Sequence, residues 1–337
     1  MSFRVRPARA DDFEAIYEMA KLTGGGFTNL PPDRGTLVEK LLKSETAFSR
    51  QADAPENDLF LLVLENTETG QVRGTCQIFS KVGSEWPFYS YRLTTMTQTS
   101  RALERTFRAE LLTLVTDLEG SSEVGGLFLH PGERAGGLGM LLARSRYMFI
   151  RLHRQRFADR LIAELRGVMD EAGGSPFWDG LAGKFFDMNF QTADELNAKH
   201  GNQFIADLMP KTPIYTALLP DSARAVMALP HPSGRAAMRM LEREGFKYER
   251  HIDIFDGGPT MEAKTDEVRT IRDAKMAKAA AIQPGGRPAL LARGQLKDFV
   301  ACNGCVGPVK GGAATLDPAA AALLGISAGD SFLRMDR

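Results

Sequence analysis

Cysteine, tryptophan and histidine are scarce in this sequence, and its charges cancel. The 337 residues include three Cys, two Trp and five His, and Lys plus Arg equals Asp plus Glu at 42 each. Three cysteines, Cys76, Cys302 and Cys305, cannot build the disulfide framework of a small secreted scaffold. Cys302 and Cys305 form a C-x-x-C, but no second pair and no nearby His completes a tetrahedral zinc set, so no metal is expected. Without a basic excess, neither a nucleic acid nor an anionic membrane is expected as a partner. No apolar run approaches the roughly 18 residues of a membrane span. The opening Met-Ser-Phe-Arg-Val-Arg-Pro carries charge where a signal peptide needs an apolar stretch, so a cytoplasmic protein is expected.

What is present suits a folded enzyme. With 43% hydrophobic and 25% charged residues, wholesale disorder is excluded, and the length allows one large domain with additions. The pattern predicts a strand over 3–7 and a helix from Phe13 capped by Asp11 or Asp12. A glycine run at Gly24–Gly26 follows, where backbone can approach a ligand closely, and then a second helix over 34–49. Two strands at 59–65 and 74–82 form a hairpin around Glu68-Thr69-Gly70, and further strands are expected at 89–99 and 124–129. A long helix over 138–157 precedes a strand over 161–169. Residues 175–230, rich in Gly, Pro and Phe, read as an insertion of short helices and loops whose aromatics form a wall. A helix over 233–244 stops at Gly245 before a strand over 246–255. The domain expectation is 1–262 as the main domain, 263–286 as a linker, and 287–337 as a small β-rich module.

The informative feature is a buried strand joined by a short loop to a helix, Val124 to Leu129, then His130-Pro131-Gly132-Glu133, then Arg134-Ala135-Gly136-Gly137-Leu138-Gly139. Glycines at a helix start leave backbone N–H groups without helical partners, and the helix dipole adds positive potential there. A pyrophosphate can be held by such a mouth, with Arg134 adding a direct contact.

Set after a strand-helix-helix-strand series, this element resembles the GNAT superfamily of acyl-CoA-dependent N-acyltransferases, as does Ala236-Ala237 through Gly245-Phe246. The resemblance narrows to the arginine N-succinyltransferase family. It is carried by Lys21-Leu22-Thr23-Gly24-Gly25-Gly26, Gly120-Ser121-Ser122-Glu123, Leu127-Phe128-Leu129, Ser145-Arg146-Tyr147-Met148-Phe149 and Glu164-Leu165-Arg166-Gly167. Ser175-Pro176-Phe177-Trp178, Pro213-Ile214-Tyr215-Thr216 and Asp253-Ile254-Phe255-Asp256-Gly257-Gly258-Pro259-Thr260 continue it in order. The resemblance implies an α+β GNAT-like fold with a mixed, mostly antiparallel central sheet flanked by helices, the insertion, and the small C-terminal module.

It also implies a reaction: succinyl-CoA and L-arginine give N2-succinyl-L-arginine and CoA, the first step of an arginine-degrading pathway, with succinyl-CoA as co-substrate and no tightly bound cofactor. By that resemblance the donor lies against Leu127 and Leu129, with Arg134, Gly136, Gly137 and Gly139 at its pyrophosphate, and the proton donor is His231. An imidazolium there can protonate a leaving thiolate, whose thiol pKa is near ~8.5. The amine also needs a base, for which Glu123, Glu164 and Asp253 stand open. Glu164, Asp253 and Asp256 are the expected guanidinium partners, and Arg166 or the loop from Thr23 to Gly26 the partner of the succinyl carboxylate. An arginine/ornithine succinyltransferase subunit, a non-catalytic acyl-CoA-binding regulator and a general amine acetyltransferase are the alternatives, with homo- and hetero-oligomers both open.

Overall fold

The computed structural model describes residues 2–23, 29–134 and 136–336. The expected glycine run Gly24–Gly26 and Ala135 lie outside them. Strand β1 (Phe3–Pro7) leads to α1 (Phe13–Lys21), whose buried face is Ile16, Met19 and Ala20. The expected cap is not formed: the Asp12 carboxylate turns away from the helix and takes Arg6 Nη1 at 2.7 Å and Nη2 at 3.0 Å. A buried guanidinium is the stronger claimant on that carboxylate. Helix α2 (Arg34–Ser49) is capped by Asp33, which accepts from the Thr36 N–H at 2.8 Å, and it buries Leu37, Leu41, Ser44 and Phe48.

The hairpin β2 (Leu59–Asn66) and β3 (Val72–Phe79) forms as expected. Strand β4 (Ser90–Ser100) is joined by β5 (Arg105–Val115), which sequence reading missed; charged residues interrupt its apolar alternation because its first half is exposed. Then come β6 (Ser122–Leu129), α3 (Leu138–Leu152) and β7 (Arg160–Glu164). Both α3 and β7 stop about five residues before their expected ends. A 3-10 turn at Arg154–Arg156 follows α3, and beyond Glu164 the chain leaves the sheet. The insertion holds short helices and β8 (Ile214–Tyr215), and its aromatics pack inward: Trp178 stacks on Phe255 at 5.6 Å, beside buried Tyr91 and Phe177. The helix Arg235–Glu244 precedes β9 (Lys247–Ile252) and β10 (Pro259–Lys264).

The stretch 263–286, expected to be a linker, is structured. It contains the end of β10, the short helix Arg269–Asp273 and strand β11 (Lys275–Ile282), with alternate alanines of β11 buried. Alanine is small enough to line a narrow barrel, and that is its place here. Strands β12 (Arg287–Arg293), β13 (Val300–Val306), β14 (Ala313–Leu316) and β15 (Ser331–Asp336) join β11 in a closed ring, because β12 pairs with both β13 and β15, β11 pairs with both β15 and β14, and β14 returns to β13. Cys302 faces the barrel core, and burial pushes its thiol up to about 12. Cys305, three residues along the same strand, points to the other face, so the C-x-x-C converges on nothing. No metal-holding group of His, Cys, Asp and Glu occurs among the described residues, and none of their helices is long and apolar enough to cross a membrane.

The remaining strands run in the order β13-β1-β2-β3-β6-β7-β10-β9-β4-β5-β8. Every pair in this part is antiparallel except β6 with β7. Helices α1 and α2 cover one face and α3 the other.

Candidate active site

Strands β6 and β7 pair at two positions only, Ser122 with Leu161 and Glu123 with Ile162. Beyond them β7 stays with β10 while β6 stays with β3, so the sheet opens into a wedge. Along this wedge the β7-facing backbone of β6 has no strand partner and is available to a ligand. A bulge sits at the opening: Thr75 faces Phe128 and Gln77 faces Gly125, leaving Gly126 and Leu127 opposite Cys76. Gly126 has φ 56°, and a Cβ on it would stand 2.7 Å from the Gln77 side chain, so both conformation and space demand glycine. Leu127 and Leu129 pack against the α3 side of the core.

The wedge ends at the mouth of α3. Gly137, at the N-cap, has φ 77°, and the first helical N–H groups to find acceptors are those of Met140 and Leu141, both on Gly137 O. The N–H groups before them have no helical acceptor, as at any helix start. Gly136 and Gly137 are exposed with open space where side chains would stand, and exposed Arg134 lies beside them, its Nε 3.4 Å from Leu129 O. The residues expected at a pyrophosphate are therefore together on an open surface.

The other expected residues gather where β7 ends. Glu164 lies on the same face as Ile162, the partner of Glu123, and opposite Thr260 of β10. Asp256 clips two loops together: Oδ2 takes the Gly167 N–H at 2.7 Å and Oδ1 the Gly258 N–H at 2.8 Å. Asp253 Oδ1 takes the N–H groups of Phe255 and Asp256 at 2.7 and 2.8 Å. Asp256, expected to grip a guanidinium, thus already holds one backbone N–H on each oxygen. Glu164 is free of such duties. Burial, then the charges of Asp253, Glu123 and Asp256, push its carboxyl well above the usual range. Burial likewise raises Glu123 to about 7, against the opposing pull of Lys40, Asn29 and Arg146.

Arg166 makes no hydrogen bond or ion pair from its guanidinium among the described residues, and its Nε is buried without a partner. Burial lowers its pKa, opposed by Asp256 and Asp194. His231 donates its backbone N–H to Arg166 O at 2.7 Å, and Pro230 bridges to Gly167, so the two loops are sewn together. The His231 ring Nδ1 lies 3.2 Å from the Ser233 backbone N and 2.7 Å from Ser233 Oγ, a hydroxyl that donates to the neutral ring and accepts from the charged one. Burial, then Arg166, lowers the His231 pKa.

Sequence reading missed several residues of this site. Lys40 reaches it from α2, three residues after buried Leu37; a lysine on a buried stripe was the available signal. Tyr91 Oη and Thr260 Oγ1 are buried without hydrogen-bond partners among the described residues, and burial, then the Asp253 charge, raises the Tyr91 pKa. Asp194, on the helix Phe190–His200 of the insertion, is raised to about 6 by burial and Asp253. Nothing local in the sequence marks Tyr91 or Asp194, whereas Thr260 closes the segment that begins at Asp253. Thr23, expected near a substrate carboxylate, turns its hydroxyl to Ala20 O at 2.8 Å.

Comparison with known proteins gives a consistent result. A family model described as arginine N-succinyltransferase beta subunit matches residues 3–270, and one for that subunit's C-terminal domain matches 272–333. An arginine N-succinyltransferase of Salmonella paratyphi B is 43% identical over 289 residues, which cover 85% of this chain and 84% of the relative. The enzyme of that name from Salmonella enteritidis PT4 gives the same figures. The solved structure of arginine/ornithine succinyltransferase subunit AI from Pseudomonas aeruginosa superposes with a TM-score of 0.90 at 33% identity, covering 99% of this chain and 98% of that one.

Proposed function

Because this chain belongs to the arginine N-succinyltransferase family, we propose that it moves the succinyl group of succinyl-CoA onto the α-amine of L-arginine, releasing N2-succinyl-L-arginine and CoA. It is an acyltransferase of the α+β, GNAT-like fold. The observation that carries the mechanism is the wedge between β6 and β7, which ends at the glycine mouth of α3.

In this reading the CoA pyrophosphate sits on the N–H groups around Gly136, Gly137 and Gly139, with Arg134 alongside. The pantetheine arm runs along the unpaired edge of β6 past Leu129, and the thioester lies at the bulge beside Leu127. Backbone N–H groups there stabilise the oxyanion that forms when the amine attacks the thioester carbon. The C–S bond then breaks, and His231, as an imidazolium with its Nδ1–H turned to Ser233 Oγ 2.7 Å away, gives its Nε2 proton to the leaving sulfur and is left neutral. The amine nitrogen's proton passes to Glu123, whose carboxyl, raised to about 7 by burial, is suited to take it. Glu164 receives the guanidinium, with Asp253 beside it and the hydroxyls of Tyr91 and Thr260 as further partners. Asp256 holds the loops that carry these groups, and Arg166 binds a substrate carboxylate.

The test is thiol release from succinyl-CoA with a panel of amino acids. Release with arginine supports the reading, and no release with any amine overturns it. The likeness to an arginine/ornithine succinyltransferase subunit favours a second reading in which ornithine is also accepted. Turnover of ornithine at a rate comparable to arginine in the same assay would establish that one.

A further inference from the structure

The reaction proposed above brings two carboxylates into the wedge: the α-carboxylate of the amino acid and the distal carboxylate of the succinyl chain. Each needs a cation, and Arg166 and Lys40 are both cations with unspent N–H groups near the carboxylates of the site. Arg166 is tied to His231 by the 2.7 Å backbone bond. His231 works at the reacting centre, and the amino acid's carboxylate is attached to the same carbon as its amine, so Arg166 is the cation next to that carboxylate. On the Glu123 side of the site stands Lys40, while Arg146 there already spends Nε and Nη1 on Ala143 O and Gly125 O.

Lys40 enters from α2, on the face of the sheet where Glu123 points. Its Nζ donates to Asn29 O at 3.2 Å and stands 5.8 Å from the centre of the Phe79 ring. Phe79 is the cross-strand partner of Glu123. Asn29 O also takes Gln77 Nε2 at 2.6 Å, while the Asn29 amide and the Glu123 carboxylate both lie against Gly125, and the Gln77 side chain against Gly126. Lys40 is thus held by one intermediary residue beside Gly125 and Gly126, the stretch immediately before Leu127. It forms no ion pair among the described residues, and one hydrogen bond leaves two of its three N–H groups for a ligand. A succinyl carboxylate lies three bonds from the thioester carbon, a reach of about 4 Å.

We infer that Lys40 binds the distal carboxylate of the succinyl group and so selects a dicarboxylic acyl-CoA over a neutral one. The inference rests on the proposed reaction for its donor and goes beyond it in naming the residue that chooses the donor. Burial lowers the Lys40 pKa to about 8, against the opposing charge of Glu123.

Butyryl-CoA, in which a methyl replaces the carboxylate, is the neutral isostere that tests this. Binding of succinyl-CoA, butyryl-CoA and free CoA is measured by titration calorimetry for the full chain and for K40M and K40Q. The wild type should prefer succinyl-CoA to butyryl-CoA by about tenfold to a hundredfold, the value of a charge-assisted contact. Both variants should bind butyryl-CoA and CoA as the wild type does and lose the preference. Should K40M fail to fold, K40Q reads the same ratio while keeping a donor for Asn29. A preference that survives in a folded variant overturns the inference, as does an equal loss for all three ligands. Failure of the reaction itself is read separately, as absence of thiol release by the wild type with arginine.

Discussion

The backbone N–H of His231 lies 2.7 Å from the backbone oxygen of Arg166, joining the loop after β7 to the turn that precedes the helix Arg235–Glu244. This bond fixes the turn that carries the His231 imidazole against the loop that carries Arg166. If Nε2 delivers the proton to the leaving thiolate, His231→Gln should lower kcat by about 10²- to 10⁴-fold. The KM for succinyl-CoA should change little, because the pyrophosphate contacts lie at the far end of the donor. Steady-state thiol release checks both numbers, and an unchanged kcat would remove His231 from the chemistry.

Glu164 has no hydrogen bond to satisfy its carboxyl among the described residues, and three carboxylates lie in its field. A guanidinium arriving there relieves that repulsion and keeps the carboxylate charged. Glu164→Gln should therefore raise the KM for arginine by about tenfold or more and leave the KM for succinyl-CoA alone. In the wild type the KM for arginine should rise as pH falls, since protonation of this high-pKa carboxyl removes the charge the guanidinium needs. Equal rises in both KM values would mean that Glu164 is structural.

Asp256 has the opposite character, and the contrast explains how much was legible. Glu164-Leu165-Arg166-Gly167 and Asp253 to Thr260 stand out in the sequence by their family likeness, but a string of residues does not say which oxygens are already used. That depends on the approach of Gly167 and Gly258 to Asp256, 89 and two residues away along the chain. The strand-loop-helix of 124–139 was legible because its signals are local: a short apolar run, then glycines opening a helix. Lys40, Tyr91 and Asp194 were not, because α2, β4 and the insertion reach the site only through tertiary packing. Strand β11 was misread because its alanines suit a barrel wall as well as a linker. Asp256→Ala should cost about 3 kcal/mol in denaturant unfolding, the sum expected for two buried bonds to a carboxylate. A loss below 1 kcal/mol would refute its role as the clip.

The Glu123 carboxyl, raised to about 7 by burial, predicts how stability depends on pH without substrates. In the unfolded chain a glutamate titrates near ~4.3. A folded value above the unfolded one means that the protonated form is favoured in the fold, so this stability is complete below the unfolded pKa and is lost as pH rises through about 7. Glu123→Gln, which mimics the protonated state, should match the wild type at pH 4. At pH 8 it should be the more stable, by on the order of 2 kcal/mol. Chemical denaturation at the two pH values measures the difference. A variant less stable than the wild type at pH 8 would mean that Lys40, Asn29 and Arg146 outweigh the cost of burying this charge.

Gly137 holds the left-handed turn at the mouth of α3, with open space where a side chain would stand. Alanine there meets no neighbour, so its cost is the backbone strain alone, about 1 kcal/mol. In the proposed complex that same space belongs to the diphosphate, which a Cβ and a shifted backbone would push away from the N–H groups. Gly137→Ala should therefore weaken CoA by about tenfold or more, while dephosphorylated, diphosphate-free pantetheine thioesters bind as they do to the wild type. Paired titrations of CoA and the truncated thioester separate the two effects. Equal weakening of both ligands would place the diphosphate elsewhere and remove the anchor from which the thioester's position beside Leu127 is argued.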